Sequence, residues 1–447
     1  MSDLLFFNGV DAVTGDYLVP PRTAAEVLEL LRSRPFQPEA RAMVPGFDSR
    51  HLAESGWGVV FPQESDPAVR EALRPLLEHR RAQAASLREN RYRELELRRG
   101  ESFEAFLTRH GRAPGPVHPD RMPYYILLVG DPAAIPFGLQ TGLDVQHAVG
   151  RVCFETPEEY ELYARAVTVS ESGGGARDRL VDFFAPRNAN DRAMELSSDH
   201  LIAPLAGRLE EILPGWRLRR TLAERATRQA LADILGGQEG RPALLFTASH
   251  GLGFPLDHPE QLERQGALLC QDWPGPGSGP VAPEHTFAAA DLSDRADVAG
   301  LIAFCFACYG AGTPALDDFS HRNGWQPRRI APRDFVARLP QRLLARGALA
   351  VIGHLERAWS PSFLWNDTSQ IDVFESMLRL LLEGWPVGAA MEYFNQRYAE
   401  LATLLTTALR RDSAGEPVDA REVGRLWTAH NDARGYVVVG DPAVRVL

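Results

Sequence analysis

Two short apolar runs end in side chains that could do chemistry together. Ala243-Leu244-Leu245-Phe246-Thr247-Ala248 leads into Ser249-His250-Gly251, and Leu301-Ile302-Ala303-Phe304-Cys305-Phe306 leads into Ala307-Cys308-Tyr309-Gly310. Runs of this kind are predicted to be buried parallel strands, which present reactive residues at their carboxyl ends. If the two strands are neighbours, His250 and Cys308 meet at one rim. A thiol needs a base to become a nucleophile at neutral pH, and imidazole, with a free pKa of about 6.5, is suited to supply it. Taken singly, His250 reads as a satisfied histidine at a strand end and Cys308 as a small buried residue. Together, each beside glycine or a small residue, they point to a Cys/His dyad.

The surrounding elements alternate in a way that could hold such a pair. From Leu180 onward the chain is predicted to run strand (Leu180 to Phe184), helix (Ser197 to Leu213, capped by Ser197 or Ser198), extended segment (Trp216 to Leu222) and helix (Arg225 to Leu235) before the strand ending at His250. Past Cys308 come a helix over Pro332 to Arg346, a strand over Gly347 to Gly353, and helices over Asp372 to Glu383 and Gly388 to Arg411. Strands alternating with helices imply a mainly parallel sheet covered on both faces, a three-layer α/β design. Leu252 to Asp297, interrupted by Gly275-Pro276-Gly277-Ser278-Gly279-Pro280, is predicted to be a hairpin and loops beside the site.

The earlier part of the chain carries less chemistry. Thr23 to Leu31 is predicted to be a capped helix, Gly56 to Phe61 a strand, and the arginine-rich stretch from Asp66 to Arg99 a solvated helix or a docking face for an acidic partner. Gly111 to Pro119 has linker composition. Tyr124-Tyr125-Ile126-Leu127-Leu128-Val129-Gly130-Asp131-Pro132 and Tyr436-Val437-Val438-Val439-Gly440-Asp441-Pro442 share one ending, which implies two sheets of related build or two similar edges of one. The expected division is residues 1–115, an N-terminal α/β region; 120–175, a second segment; and 176–447, the unit holding His250 and Cys308.

Whole-chain properties narrow the classes. The chain has 447 residues, 45% hydrophobic, and a net charge of −11 from 48 basic and 59 acidic side chains. Its length allows a large core, and the acidic balance argues against nucleic acid as the main partner. Four cysteines, Cys153, Cys270, Cys305 and Cys308, do not make a disulfide scaffold. Cys305-Phe306-Ala307-Cys308 has metal or redox spacing, but there is no second such pair, and Cys305 lies inside the apolar run, so no metal and no cofactor is expected. The opening residues lack a basic region followed by a long apolar core, and no apolar run spans a bilayer, so a cytoplasmic protein without a membrane span is expected.

A Ser-His-Gly at one strand end and a later Ala-Cys-Tyr-Gly at another resemble the caspase-like cysteine peptidases, and most of all the gingipain-like and bacterial members. The likeness extends to Leu127-Leu128-Val129-Gly130-Asp131, Ile135-Pro136, Asp144-Val145-Gln146-His147-Ala148-Val149-Gly150-Arg151, and Thr156-Pro157-Glu158-Glu159, and covers about residues 120–447. It implies a caspase-like three-layer fold with an additional N-terminal region, and acyl transfer through a thioester on Cys308 with His250 managing protons. It also implies an oxyanion site at the N–H groups of Gly251 and Cys308, and Asp144 at the bottom of a pocket for arginine or lysine. Trp359 and Trp365 read either as core packing or as walls of that pocket stacked on a cation. The resulting expectation is an endopeptidase acting on a protein or peptide substrate, in a bacterial regulatory or defence pathway. A non-catalytic scaffold and a thiol-dependent hydrolase of small amides are the alternatives. Asp257, Asp291 and Glu356 are the acids considered for orienting His250, and the sequence does not choose among them.

Overall fold

A computed structural model describes residues 4–5, 22–23, 43–112, 115–174, 177–317, 328–365 and 368–446. Of the helix expected at Thr23 to Leu31, all but Thr23 lies outside them. Within residues 1–40, Leu4–Leu5 pairs antiparallel with Arg22–Thr23. Residues 41–447 form a separate unit, built on one ten-stranded sheet.

The strands of that sheet are β1 (Trp57–Pro62), β2 (Tyr92–Leu97), β3 (Tyr125–Val129), β4 (Ala148–Val152), β5 (Asp178–Ala185), β6 (Arg217–Leu222), β7 (Pro242–Ala248), β8 (Ile302–Phe306), β9 (Ala350–His354) and β10 (Tyr436–Gly440). Their order is β2-β1-β3-β4-β10-β9-β8-β7-β5-β6. Every neighbouring pair is parallel except β9 with β10. Two parallel half-sheets of opposite direction therefore meet at one antiparallel seam. The central strands β7, β8 and β9 are buried along their whole length, as continuous Val/Ile/Leu/Phe runs covered on both faces should be. Phe246 of β7 stacks on Phe304 of β8 with ring centroids 4.7 Å apart.

The two strands ending Gly-Asp-Pro, β3 and β10, lie in the same half-sheet, with β4 between them and all three parallel. Asp441, after β10, accepts from Arg80 Nε at 2.6 Å and Trp57 Nε1 at 3.0 Å, and Arg80 Nη2 also reaches Glu171 Oε1 at 2.6 Å. These groups join α1 (Arg74–Ala84), β1, and the end of α3 (Pro157–Glu171, which follows α2, Phe137–Asp144) to the end of β10.

Two expectations change. The arginine-rich stretch is helical only to Ala84; its second half is β2, because Glu94-Leu95-Glu96-Leu97 alternates with period two and buries Leu95 and Leu97 alone. The linker composition at Gly111 to Pro119 does not separate sheets, since β1 and β2 pair through β1 onto β3 and extend the same sheet as the rest. The expected boundary near residue 115 thus falls inside one sheet. Among the described residues no helix is long and apolar enough to cross a membrane.

Candidate active site

The register of β7 against β8 sets Ala248 opposite Phe306. His250 and Cys308 each lie two residues beyond those partners, on loops leaving the same edge of the sheet. Beyond β7, Ser249 N–H still donates to Phe306 O at 3.1 Å, and His250 O accepts from Leu269 N–H at 2.9 Å, so the loop is fixed on both sides. Gly251 then passes against the Cys308 backbone: a Cβ at 251 would stand 1.7 Å from the Cys308 carbonyl oxygen and 3.0 Å from its nitrogen. Only glycine permits that approach. Among the described residues neither the Gly251 nor the Cys308 N–H has a hydrogen-bond acceptor.

His250 Nε2 lies 2.8 Å from Asp191 Oδ2, while Asp191 Oδ1 accepts from the N–H groups of Ala193 at 3.1 Å and Met194 at 3.3 Å. Asp191 is thus the N-cap of α4 (Arg192–Ser197) as well as the partner of the imidazole. Burial works to raise the Asp191 pKa, but His250 and the two N–H groups outweigh it and hold the carboxyl below its usual range. With Nε2–H donated to Asp191, Nδ1 is the nitrogen left to take a proton from the thiol. The helix expected to start at Ser197 or Ser198 starts at Arg192, and those serines lie within its path.

Cys308 is half-buried, with Sγ 3.8 Å from the Ala358 carbonyl oxygen. Burial pushes its thiol up, and the Arg357 charge pulls the other way. A thiol held neutral needs a base before it can act as a nucleophile, and an imidazole lines the same cavity. The remaining cysteines are buried within the fold: burial raises Cys153 and Cys270 to about 12 and Cys305 to about 11. Cys305 belongs to β8, whereas Cys308 lies in the turn after it.

A cavity of about 410 Å³ opens on both side chains, lined by Met194, Phe306, Trp359, Phe363, Arg192 and Arg357 among others. No carboxylate belongs to its lining among the described residues. Asp144 is elsewhere: it ends α2 and lines a separate cavity of about 350 Å³ with His147 and Glu392, where burial holds its pKa well above the carboxylate range. Trp365 is not beside the dyad either; the Arg425 guanidinium lies 4.3 Å from its ring centroid. Of the acids considered for orienting His250, Asp291 pairs with Arg228 and Glu356 with Arg357. The residue in that position is Asp191, which sequence reading missed. Its signal was the N-cap pattern Asn190-Asp191 between a strand and a helix, which marks a helix start and gives no sign of a histidine partner.

The double duty of Asp191 predicts a measurable loss. Asp191→Ala should cost about 1 kcal/mol from the lost cap, in urea denaturation at neutral pH, with Asp191→Asn losing less. Because the folded-state pKa is depressed, that contribution is present above the unfolded pKa of about 3.9 and fades as pH falls through the folded value, so the two proteins should converge in acid. An unchanged gap at pH 2 and pH 7 would contradict this account.

A mainly parallel sheet covered on both faces, with a histidine and a cysteine at the ends of adjacent central strands, defines a caspase-like α/β fold. Among solved structures, the chain is similar to gingipain R, described as an Arg-specific cysteine proteinase, over 92% of this chain and 80% of that one, with a TM-score of 0.51 and 13% identity. The complex of the pro- and mature domains of RgpB from Porphyromonas gingivalis matches over 88% and 80%, with a TM-score of 0.50 and 13% identity. No family model matches the sequence, and no curated protein is similar to it at a significant level.

Proposed function

We propose that the protein is a cysteine peptidase that cuts a peptide or protein substrate with Cys308 as nucleophile and His250 as acid and base. The observation that carries this reading is the in-register pair of strands β7 and β8, whose ends deliver imidazole and thiol to one cavity with Gly251 packed on the Cys308 backbone. Likeness to cysteine proteinases in fold supports it.

In the reaction, His250 Nδ1 takes the thiol proton and Cys308 Sγ adds to the scissile carbonyl carbon. The tetrahedral oxyanion accepts hydrogen bonds from the N–H groups of Gly251 and Cys308, neither of which has another acceptor among the described residues. His250 then protonates the leaving amine, the C–N bond breaks, and a thioester remains on Cys308. Water, deprotonated by His250, hydrolyses that thioester and restores the thiol. Asp191 fixes the imidazole tautomer and offsets the positive charge of the imidazolium. Nucleophile, base and oxyanion donors all come from the chain.

For the residue before the scissile bond there are two readings. Likeness to an Arg-specific proteinase favours arginine or lysine. The apolar wall of Met194, Phe306, Trp359 and Phe363, with two guanidiniums and no carboxylate among the described lining residues, favours a large uncharged side chain. A fluorogenic peptide library varied at that position separates them, and cleavage of none of its members would remove the peptidase reading. Because Asp144 lines another cavity, Asp144→Asn should leave the preference at that position unchanged, and a strong fall for basic substrates would restore it as the pocket acid.

A further inference from the structure

The turn that carries the nucleophile is held in an unfavourable backbone conformation. Tyr309, directly after Cys308, has φ 58°, and Glu356, two residues past β9, has φ 68°. Left-handed backbone at a non-glycine residue is unfavourable and persists only where the surroundings enforce it. Here the two strained residues hold each other: Tyr309 N–H donates to Glu356 O, and Glu356 N–H donates to Gly312 O at 3.2 Å.

One side chain closes the arrangement. Arg357 Nη2 lies 2.5 Å from Asp317 Oδ2 and 3.2 Å from Glu356 Oε1, and its guanidinium also pairs with the Tyr309 side chain. Both carboxylates are nearly buried, with side chains 6% and 4% exposed, and the guanidinium offsets charge on each. The next residue, Ala358, supplies the carbonyl beside Cys308 Sγ.

We propose that Arg357 is a positioning residue for Cys308: it clamps the turn after β8 to the turn after β9 and keeps a fixed positive charge beside the thiol. The inference rests on Cys308 being the nucleophile. A thiol surrounded by protein resists ionisation, and a neighbouring cation favours the thiolate. Among the described residues, the charged and titratable groups around Cys308 are His250 from the end of β7, Arg192 from α4, Tyr309 from its own turn, Arg357 and Glu356 from the turn after β9, Tyr436 from β10, and Asp432 from α8 (Ala420–Arg434, after α5, Arg338–Ala345, α6, Asp372–Leu382, and α7, Glu392–Ser413). Asp432 is engaged by Trp359 N–H at 2.8 Å and Ser362 Oγ at 2.5 Å. Of the two guanidiniums that line the cavity, those of Arg192 and Arg357, the Arg357 one is joined to the turn that bears the thiol through its pairing with Tyr309.

The test is the pH dependence of Cys308 alkylation by iodoacetamide, followed by mass spectrometry, in wild type, Arg357→Gln and Arg357→Lys, alongside kcat and KM on the best library peptide. Arg357→Gln should move the alkylation midpoint up by about one pH unit, slow labelling about tenfold at pH 7, and lower kcat with KM little changed. Arg357→Lys keeps the charge but cannot bridge two carboxylates as a planar fork does, so it should restore the midpoint and leave kcat reduced. Superimposable wild-type and Arg357→Gln alkylation profiles would overturn the proposal. Should Arg357→Gln fail to fold by circular dichroism, wild-type kcat in Arg357→Lys would overturn it. Alkylation needs no turnover, so a shifted profile in a protein that cleaves no peptide would sink the peptidase reading and leave this one standing.

Discussion

Cys308→Ala and His250→Ala should each bring peptide cleavage to background, a loss of about 10⁴-fold or more, in proteins that remain folded. The size follows from the division of labour: without Sγ there is no acyl acceptor, and without the imidazole a thiol that burial keeps neutral has no base. Stability should respond differently in the two. Cys308 Sγ makes only a 3.8 Å contact to Ala358 O, so its removal costs little, while His250→Ala strips the Asp191 carboxylate of its partner and should cost about 1–3 kcal/mol. Cys305→Ala and Cys270→Ala, within the buried core, should retain turnover. Initial rates on the best library peptide, with thermal melts as the folding check, decide the matter. Comparable turnover in either dyad mutant would remove the assignment, and loss of activity in a folded Cys305→Ala protein would revive a redox role for the pair.

Gly251→Ala should be nearly as damaging through a single methyl group. The new Cβ would need the space now held by Cys308, 1.7 Å from its carbonyl oxygen and 2.7 Å from its carbonyl carbon. Backbone atoms cannot step aside as the tip of a long side chain can, so either the His250 loop or the Cys308 turn must shift by about an ångström. A displacement of that order costs about 100-fold in rate where nucleophile, base and oxyanion donors must converge, and overpacking adds about 1–3 kcal/mol of instability. Gly253→Ala is the internal control. Its Cβ would meet only the Tyr309 ring edge, at 3.3 Å, and a small change is expected there. Wild-type kcat in Gly251→Ala would show that the two backbones do not need their close approach.

Most of the sheet was legible because its central strands are continuous apolar runs, a signal that survives without tertiary information. The boundaries of β5, β7, β8 and β9 fall within a few residues of their predicted positions. What the sequence hid is relational. Tyr92 to Leu97 sits in a field of arginines and glutamates that masks its two-residue alternation, so it reads as helix until Leu95 and Leu97 are seen packing with Phe106 and Ile126. Asp191 and His250 are 59 residues apart, and nothing in either neighbourhood names the other. Asp144 lay in a run that resembled a pocket motif, but the end of α2 carries it to a cavity shared with His147 and Glu392. Types and local spacing announce candidates; which carboxylate faces which imidazole is set by strand order, and strand order is the least local fact in the fold.

That order also sets a timetable. Of the ten strands, β10 is made last, yet it lies in the middle of the sheet, between β4 and β9. A nascent chain that has already produced both dyad residues still has two half-sheets, each with an unpaired edge of apolar strand, the kind of edge that recruits other chains. Docking of β10 and the preceding helix α8 closes both edges at once. It also brings Gly435 O to the Leu355 N–H and the Asp432 carboxylate to the Trp359 N–H, fastening the turn that lies against the Cys308 thiol. The turn after β8 is therefore completed by a strand almost 130 residues downstream of Cys308, and a ribosome-bound or truncated chain lacking it would hold the thiol without its frame. Late closure of this kind would leave the Cys308 turn without these fastenings until synthesis of the sheet is finished.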